Sequence, residues 1–219
     1  MISMMQRECG FMASPSPNQN LNFTLTASSP LHRYCKIVDG ASLAEVSPLS
    51  IVSVSPFIGN EEAFNTAIDR LFNSASPSAT KAFELTGKNA CVLLPSSHNQ
   101  WFMCFKDEVQ DPVAKVNDLL GKIISSRVAL TDQSDAWVSL QLTGPLIHIT
   151  LERICSIDCS SLAMPIGTTA RTMIGHLGTI ISRRPDDENG NPCFWLMSAR
   201  SSAASFLRVI TGSPPFSRR

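Results

Sequence analysis

The sequence is poor in charged residues. Only 16% of its 219 residues are Asp, Glu, Lys or Arg, whereas roughly 25% is typical of soluble domains. So few charges do not cover the whole surface with solvated side chains, and we expect part of it to contact another protein. The 18 basic and 18 acidic residues also balance, so no overall positive field attracts nucleic acid or anionic lipid.

Basic residues gather in pairs rather than in a stripe. The pairs Arg183-Arg184 and Arg218-Arg219 have no interleaved aromatic residues of the kind that stack on nucleic acid bases. We interpret both pairs as solvated surface or as a protein contact. Nucleic acid and membrane are therefore not expected partners.

Long apolar runs are also lacking. No segment approaches the roughly 18 apolar residues that a membrane-spanning helix needs. Residues 1–8 lack the basic and apolar regions of a signal peptide. The seven cysteines are odd in number, scattered and mostly embedded in apolar runs, which is typical of free buried thiols in a reducing compartment. We therefore predict a cytoplasmic protein.

Motifs that carry chemistry are missing. No glycine-rich loop has the spacing of a nucleotide-binding site. Cys155 and Cys159 have no second pair of Cys or His, so they predict either two thiols one turn apart on a helix or simple filler, not a zinc site. His148 and His176 lack an acidic residue or a nucleophile in a recognisable local pattern, which favours half-buried structural histidines. We predict no catalytic, cofactor-binding or metal-binding residue in this chain.

What the sequence does contain is one plan of secondary structure read twice. Each pass predicts a strand, a helix, two or three strands and a second helix. The first pass has strands at 51–54, 81–86, 90–95 and 100–105, with helices after Asn60 and from Pro112. The second has strands at 137–142, 170–174, 177–182 and 193–198, with helices after Pro145 and from Ser202. The plan predicts an α+β fold of two duplicated half-domains.

Local signals refine the expected elements. Asn60 is predicted to cap the first helix, and Asp111 followed by Pro112 has the residue preferences of a helix start. The near-continuous apolar runs at 100–105 and 191–197 indicate strands covered on both faces, by helices on one side and by a second layer on the other.

The chain divides into four predicted parts. Residues 1–30 are rich in Ser, Pro and Asn and predict a flexible N-terminal arm, because they have too few apolar side chains to repay their ordering entropy. Residues 31–126 form the first half-domain, residues 127–212 the second and residues 213–219 a C-terminal tail. The polar stretch 184–192 predicts a hairpin loop between two strands.

The second half carries six short motifs in a fixed order, at 132–137, 140–145, 155–158, 165–167, 170–172 and 199–201. In this order they resemble the gamma subunit of heterotetrameric sarcosine oxidase. Trp101-Phe102 is similar to a Trp-Leu strand of that family. The resemblance covers residues 90–211 well, residues 31–90 loosely and the arm not at all. It departs at Cys159-Ser160-Ser161, where the family has Leu-His-Pro, and at Met164, where the family often has an aromatic residue.

The resemblance implies a fold and a partnership. The family's fold is similar to the folate-binding domain of aminomethyltransferase, a duplicated α+β unit. The complex would oxidise sarcosine to glycine, pass the one-carbon unit to tetrahydrofolate and pass electrons to oxygen. The resemblance places FAD, FMN, NAD and tetrahydrofolate in the partner subunits and no cofactor in this chain. The implied partners are the alpha, beta and delta subunits, with this chain non-catalytic.

Two alternatives stay open. The chain is equally compatible with the same subunit of a complex for another N-methyl amine, such as dimethylglycine. It is also compatible with a free-standing folate-binding protein, although the Lys-Gly-Cys-Tyr-type signature of stand-alone folate-binding regulators is absent. Neighbouring alpha, beta and delta genes would favour a four-chain complex.

Four polar residues are candidates for interface or structural roles. Arg200 stands at a strand-to-helix corner, where a guanidinium can make several hydrogen bonds to carbonyls of its own chain or across an interface. Asp158 is either a catalytic acid or base or, as we favour, the cap of the serine-rich turn that follows it. Arg171 and Arg183 complete the set.

Overall fold

The computed structural model describes residues 28–47, 49–73 and 80–217. Within these ranges the strands are β1 (Cys35–Val38), β2 (Ala41–Glu45), β3 (Ser50–Pro56), β4 (Phe83–Leu85), β5 (Cys91–Ser97), β6 (Gln100–Phe105), β7 (Val128–Asp132), β8 (Trp137–Thr143), β9 (Thr169–Ile174), β10 (Leu177–Arg184) and β11 (Cys193–Ala199). The α-helices are α1 (Glu61–Phe72), α2 (Pro112–Leu120), α3 (Lys122–Ser125), α4 (Ile147–Ile154) and α5 (Ala203–Thr211). Every strand and helix expected from the sequence is present, so the α+β class and the duplicated plan are confirmed. Four elements were not expected: β1, β2, β7 and α3.

The strands form two antiparallel sheets. One has six strands in the order β1-β2-β8-β11-β10-β9, and the other has five in the order β4-β5-β6-β3-β7. Each sheet carries two longer helices on its outer face: α4 and α5 pack on the six-stranded sheet, and α1 and α2 pack on the five-stranded sheet.

The inner faces of the two sheets pack on each other. Val92, Phe102 and Cys104 of the five-stranded sheet meet Trp195 and Met197 of the six-stranded sheet in one buried cluster. Alternate residues of the same strands point outward to the helices, because side chains alternate across a strand. This arrangement explains the near-continuous apolar runs in β6 and β11, whose two faces are both covered as expected.

Two segments pair outside the half in which the sequence plan placed them. Strand β2 follows the chain start yet pairs with β8, with Leu43 opposite Leu142. Strand β7 lies beyond residue 126 yet pairs with β3, with Leu130 opposite Val54. Each sheet therefore contains strands from both predicted halves, so the two sheets do not correspond to the two halves. The half-domain boundaries stay a prediction.

The helix starts differ from each other in their capping. The Asp111 carboxylate accepts a hydrogen bond from the backbone N–H of Ala114 at 2.8 Å, which confirms the expected cap of α2. Asn60 precedes α1, but its side chain makes no cap hydrogen bond. Its amide Nδ2 instead lies 3.4 Å from the carbonyl of Phe57, so the expected side-chain cap is wrong and only the helix position was right.

The hairpin predicted at 184–192 is present between β10 and β11. The Asp187 carboxylate accepts hydrogen bonds from the backbone N–H groups of Asn189 and Asn191, at 2.9 and 2.8 Å. A hydrogen bond from the Asn191 side chain, together with these two backbone bonds, holds the pKa of the Asp187 carboxyl below its usual value. The loop is thus shaped by one aspartate.

The chain start and end are packed onto the second half where they are described. Residues 1–27 of the predicted arm lie outside the described residues. In the predicted tail, Phe216 is buried in the core under α4 and α5, and its carbonyl accepts a hydrogen bond from Lys36 Nζ at 2.8 Å.

Candidate functional site

A polar cleft of about 400 Å³ lies where the described chain start meets the ends of both sheets. Its wall includes Glu45 at the end of β2, Glu108 before α2, Asp132 at the end of β7, and Arg200 between β11 and α5. Strands β2 and β7 each pair with a strand of the other predicted half. The cleft lies here because both strands end beside the segments that connect the two sheets.

Arg200 is held by the chain itself. One guanidinium nitrogen donates to the carbonyl of Ser28 at 2.6 Å, and the other lies 3.7 Å from the Asp135 carboxylate. The backbone N–H of Arg200 donates to the carbonyl of Ala136 at 2.9 Å. Arg200 therefore ties the chain start to the corner between β11 and α5, one of the two roles expected for it.

The Glu45 carboxylate binds the backbone at the described chain start. Its carboxylate accepts hydrogen bonds from the backbone N–H groups of Leu31, Arg33 and Tyr34 at 3.2, 2.8 and 3.3 Å. It also accepts one from the Ser29 hydroxyl. Four donors on one carboxylate fix the path of residues 29–34 across the cleft. No local sequence pattern had marked Glu45 as a candidate.

The opposite wall is also internally paired. The Asp132 carboxylate accepts hydrogen bonds from the backbone N–H and the hydroxyl of Ser134, at 2.9 and 2.6 Å. The Ser134 hydroxyl oxygen in turn accepts one from the backbone N–H of Ile51 at 3.0 Å. These polar groups hold the segment after β7 against β3 and are therefore occupied with structure.

Two donors in the cleft wall remain unused. The indole N–H of Trp137 and the hydroxyl of Ser139 are buried and have no hydrogen-bond partner among the described residues. Four carboxylates and two guanidinium groups line the same cleft: Glu45, Glu108, Asp132, Asp135, Arg33 and Arg200. An excess of carboxylates opposes an anionic ligand such as a phosphate.

The basic pair Arg183-Arg184 corrects the sequence interpretation. Both residues are buried, at 6% and 5% exposure, so they are not solvated surface. Arg183 donates to the carbonyls of Arg184 and Cys193 and pairs with Asp186. Sequence alone did not show that β10 extends through Arg184 within the six-stranded sheet, where both of its faces are covered. Arg218 and Arg219 lie outside the described residues.

The other candidates are exposed. Arg171 lies on β9 and Asp158 in the loop after α4, and both side chains face solvent. The Asp158 carboxylate accepts a hydrogen bond from the backbone N–H of Ser160 at 2.8 Å, which with the Ser160 hydroxyl keeps the pKa of the carboxyl below its usual value. This is the expected cap of the serine-rich turn.

The histidines differ from expectation. His148 and His176 are exposed rather than half-buried. The Nδ1 atom of His148 lies 2.9 Å from the carbonyl of Pro145, so this ring is bound to the turn that starts α4.

The cysteines are free thiols, as expected, but not all are buried. Cys91, Cys104 and Cys193 are buried, whereas Cys35 is exposed, and Cys9 lies outside the described residues. Cys155 and Cys159 are half-buried with their sulfurs 3.6 Å apart. They follow α4 in an irregular loop, so the expectation of two helical thiols is wrong.

The described residues contain no group of three or more His, Cys, Asp or Glu placed to hold a metal ion. No described helix combines the length and apolarity that crossing a membrane requires.

The comparisons with known proteins agree on the fold. No protein-family model matches this sequence, and no curated protein matches it. One solved structure similar to this chain is heterotetrameric sarcosine oxidase from Corynebacterium sp. U-96 in complex with pyrrole 2-carboxylate, with a TM-score of 0.68, 14% identity, and coverage of 88% of this chain and 97% of that chain. Another is glycine cleavage system aminomethyltransferase T from Bartonella henselae, with a TM-score of 0.55 and 12% identity, covering 84% of this chain and 47% of that chain.

At these identities the likeness establishes the fold. This chain has a two-sheet α+β fold similar to that found in a sarcosine oxidase chain and in part of an aminomethyltransferase. The fold expected from the resemblance is confirmed.

Proposed function

We propose that this chain is the gamma subunit of a sarcosine-oxidase-type complex, serving assembly and stability rather than catalysis. The observation that carries the proposal is the extent of the structural likeness, which covers 97% of the matched sarcosine oxidase chain. A likeness over nearly the whole of both chains favours a separate subunit of similar length. The aminomethyltransferase, covered over 47%, is instead a longer chain that contains a similar portion.

The surface supports a partnership with other chains. Four large apolar side chains of the described residues are more than 70% exposed: Ile58 at 98%, Leu162 at 93%, Ile37 at 77% and Ile123 at 71%. Burial of such side chains against a partner is favourable at roughly 25 cal/mol for each Å² of apolar area removed from water. Together with the scarcity of charge, they support an interface with the alpha, beta or delta subunit.

The internal pairing of the cleft supports a non-catalytic role. Backbone N–H groups of this chain donate hydrogen bonds to the side chains of Asp132, Ser134 and Glu45. These side chains therefore have structural rather than reactive roles. The carboxylate excess opposes anionic ligands, both those that carry phosphate, such as flavins and NAD, and those that carry carboxylates, such as tetrahydrofolate. We therefore place FAD, FMN, NAD and tetrahydrofolate in the partner subunits.

The proposed complex oxidises sarcosine to glycine in the cytoplasm, with tetrahydrofolate as the one-carbon acceptor. Its substrate would be set by a partner subunit, so dimethylglycine or another N-methyl amine is the alternative. Identification of the neighbouring genes would distinguish sarcosine from another N-methyl amine as the substrate, because the sequence of the partner subunit would determine substrate specificity.

One observation favours a second function. The likeness to an aminomethyltransferase supports a free-standing folate-binding protein. Titration of the isolated chain with tetrahydrofolate tests it, because a gamma subunit without a cofactor gives no binding and a folate protein gives saturable binding.

Solubility with and without partners tests the leading proposal. We expect the chain expressed alone to aggregate, since an obligate interface typically buries over about 2,000 Å² and is apolar. Co-expression with the large subunits should rescue it, and co-expression with an unrelated flavoprotein should not. A stable, monodisperse monomer at high concentration would contradict the proposal.

A further inference from the structure

Two thiols approach each other in the loop between α4 and β9. The sulfur atoms of Cys155 and Cys159 lie 3.6 Å apart, and both residues are half-buried against the core under α4 and α5. A disulfide needs a sulfur separation of about 2.05 Å. A shift of about 1.5 Å, within reach of a side-chain rotation, would therefore join them.

The loop that carries these thiols is held at both ends. The backbone N–H of Cys155 donates to the carbonyl of Leu151 at 2.8 Å, and that of Ser156 donates to the carbonyl of Met173 at 3.2 Å. Beyond them, Asp158 holds the turn at Ser160. The backbone thus keeps the two thiols close, so that little freedom remains to be lost when they join.

The two thiols are chemically unequal. The S–H of Cys159 donates to the sulfur of Cys155, which lowers the pKa of the Cys155 thiol below its usual value. The Thr172 hydroxyl, 4.0 Å from the same sulfur, adds to this effect. The same hydrogen bond and burial raise the pKa of Cys159. Cys155 is therefore the better nucleophile, and Cys159 keeps its proton.

We propose that Cys155 and Cys159 form a reversible dithiol–disulfide site that reacts with peroxides. The thiolate of Cys155 attacks one oxygen of the peroxide, the O–O bond breaks, and Cys155 becomes a sulfenic acid while the second oxygen leaves as water or an alcohol. The sulfur of Cys159 then attacks the Cys155 sulfur while its proton passes to the departing hydroxide. One water leaves, the disulfide forms, and the peroxide has accepted the two electrons.

The other described thiols do not offer this arrangement. Burial raises the pKa of Cys91 to about 12, and it also raises the pKa values of Cys104 and Cys193. Cys35 is exposed and serves as a comparison, since an exposed thiol without a resolving partner nearby is oxidised without forming an internal disulfide.

Peptide mapping of the full-length chain, alone or in its complex, tests the site directly. Trypsin cuts after Arg153 and Arg171, so one peptide contains both cysteines and no other. After treatment with stoichiometric hydrogen peroxide and blocking with iodoacetamide, we expect this peptide to lack two hydrogens and to carry no alkyl group. Dithiothreitol should restore both alkylation sites. A peptide that stays fully alkylated, or that gains oxygen at both sulfurs, would overturn the proposal.

Variants separate the two roles. Cys159→Ser should stop the reaction at a sulfenic acid on Cys155 that dimedone traps. Cys155→Ser should leave Cys159 reduced, with thiol loss about tenfold slower. The matched control Cys35→Ser should form the disulfide at the unaltered rate. Equal oxidation rates for both loop variants would contradict the assignment of roles, and the wild-type peptide map decides the proposal if a variant fails to fold.

Discussion

The guanidinium of Arg184 lies 2.9 Å from the carboxylate of Glu84, and this ion pair joins the two sheets. Arg184 belongs to β10 of the six-stranded sheet, and Glu84 belongs to β4 of the five-stranded sheet. The Arg184 guanidinium carbon also lies 4.8 Å from the ring centre of Trp195. The buried guanidinium of Arg184 thus lies between the two sheets, and its partner Glu84 lies at the edge of this layer.

Removal of the carboxylate should therefore destabilise the fold. Glu84→Ala leaves the buried Arg184 without its charged partner, and we expect the free energy of unfolding to fall by about 1–3 kcal/mol. The change is measurable by urea denaturation followed through tryptophan fluorescence, at low protein concentration to limit association. Glu188→Ala, in the exposed hairpin, is the matched control and should change the value by less than about 0.5 kcal/mol. Equal effects would show that the pair contributes nothing.

Arg200 provides a second test, at the cleft. Because it bonds the Ser28 carbonyl and lies near Asp135, Arg200→Ala should lower the free energy of unfolding, or weaken assembly, by about 1–3 kcal/mol. Arg208→Ala removes an exposed arginine from α5 and should change neither by more than about 0.5 kcal/mol. Indistinguishable variants would mean that the Arg200 contacts are dispensable.

Gly144 lies so close to Gly40 that we expect no side chain to be tolerated at position 144 without a loss of stability. Gly144 has a φ of +133°, and a Cβ added there would lie 2.5 Å from the Gly40 carbonyl oxygen. Gly144→Ala should therefore destabilise the fold by about 2 kcal/mol or more, measured by the same denaturation. Gly178→Ala, where a Cβ meets nothing within 4 Å, is the control. A Gly144→Ala protein as stable as that control would show that β2 and β8 separate easily at this point.

Ligand binding separates the proposed subunit from a folate protein. The carboxylate excess in the cleft and the lack of a phosphate-binding loop predict that the isolated chain binds neither flavin nor tetrahydrofolate with useful affinity. Isothermal titration calorimetry checks this at a low temperature and protein concentration. Saturable folate binding in the micromolar range or tighter would support the free-standing protein instead.

The sequence predicted the strongly apolar elements and missed the weakly patterned ones. Strands such as β6 and β11 are apolar on both faces and were expected. In β1, by contrast, Cys35 and Ile37 are exposed, so the pattern carries little burial signal. The Asp39-Gly40 dipeptide, with Gly40 at a φ of +75°, was the available hairpin signal for β1 and β2.

The candidate site was less accessible to sequence reasoning. Arg200 was singled out because a strand-to-helix corner fixes its direction. Glu45 and Glu84 were not. Arg33 lies near Glu45 only because β1 and β2 form a hairpin that was not predicted, and Arg184 lies near Glu84 only because one sheet packs on the other. Arg184 was interpreted as surface for the same reason, because local sequence does not show that a second sheet covers β10.

Native mass spectrometry of a co-expressed complex tests whether this chain is a flavin-free subunit of it. The chain is co-expressed with alpha, beta and delta subunits of a sarcosine-oxidase-type complex, and the flavin-containing species is isolated through a tag on another subunit. We expect this chain to be present in one-to-one ratio with each partner and all flavin to remain with the other subunits. A flavin-containing complex of the other three subunits that fully excludes this chain would contradict the proposed role.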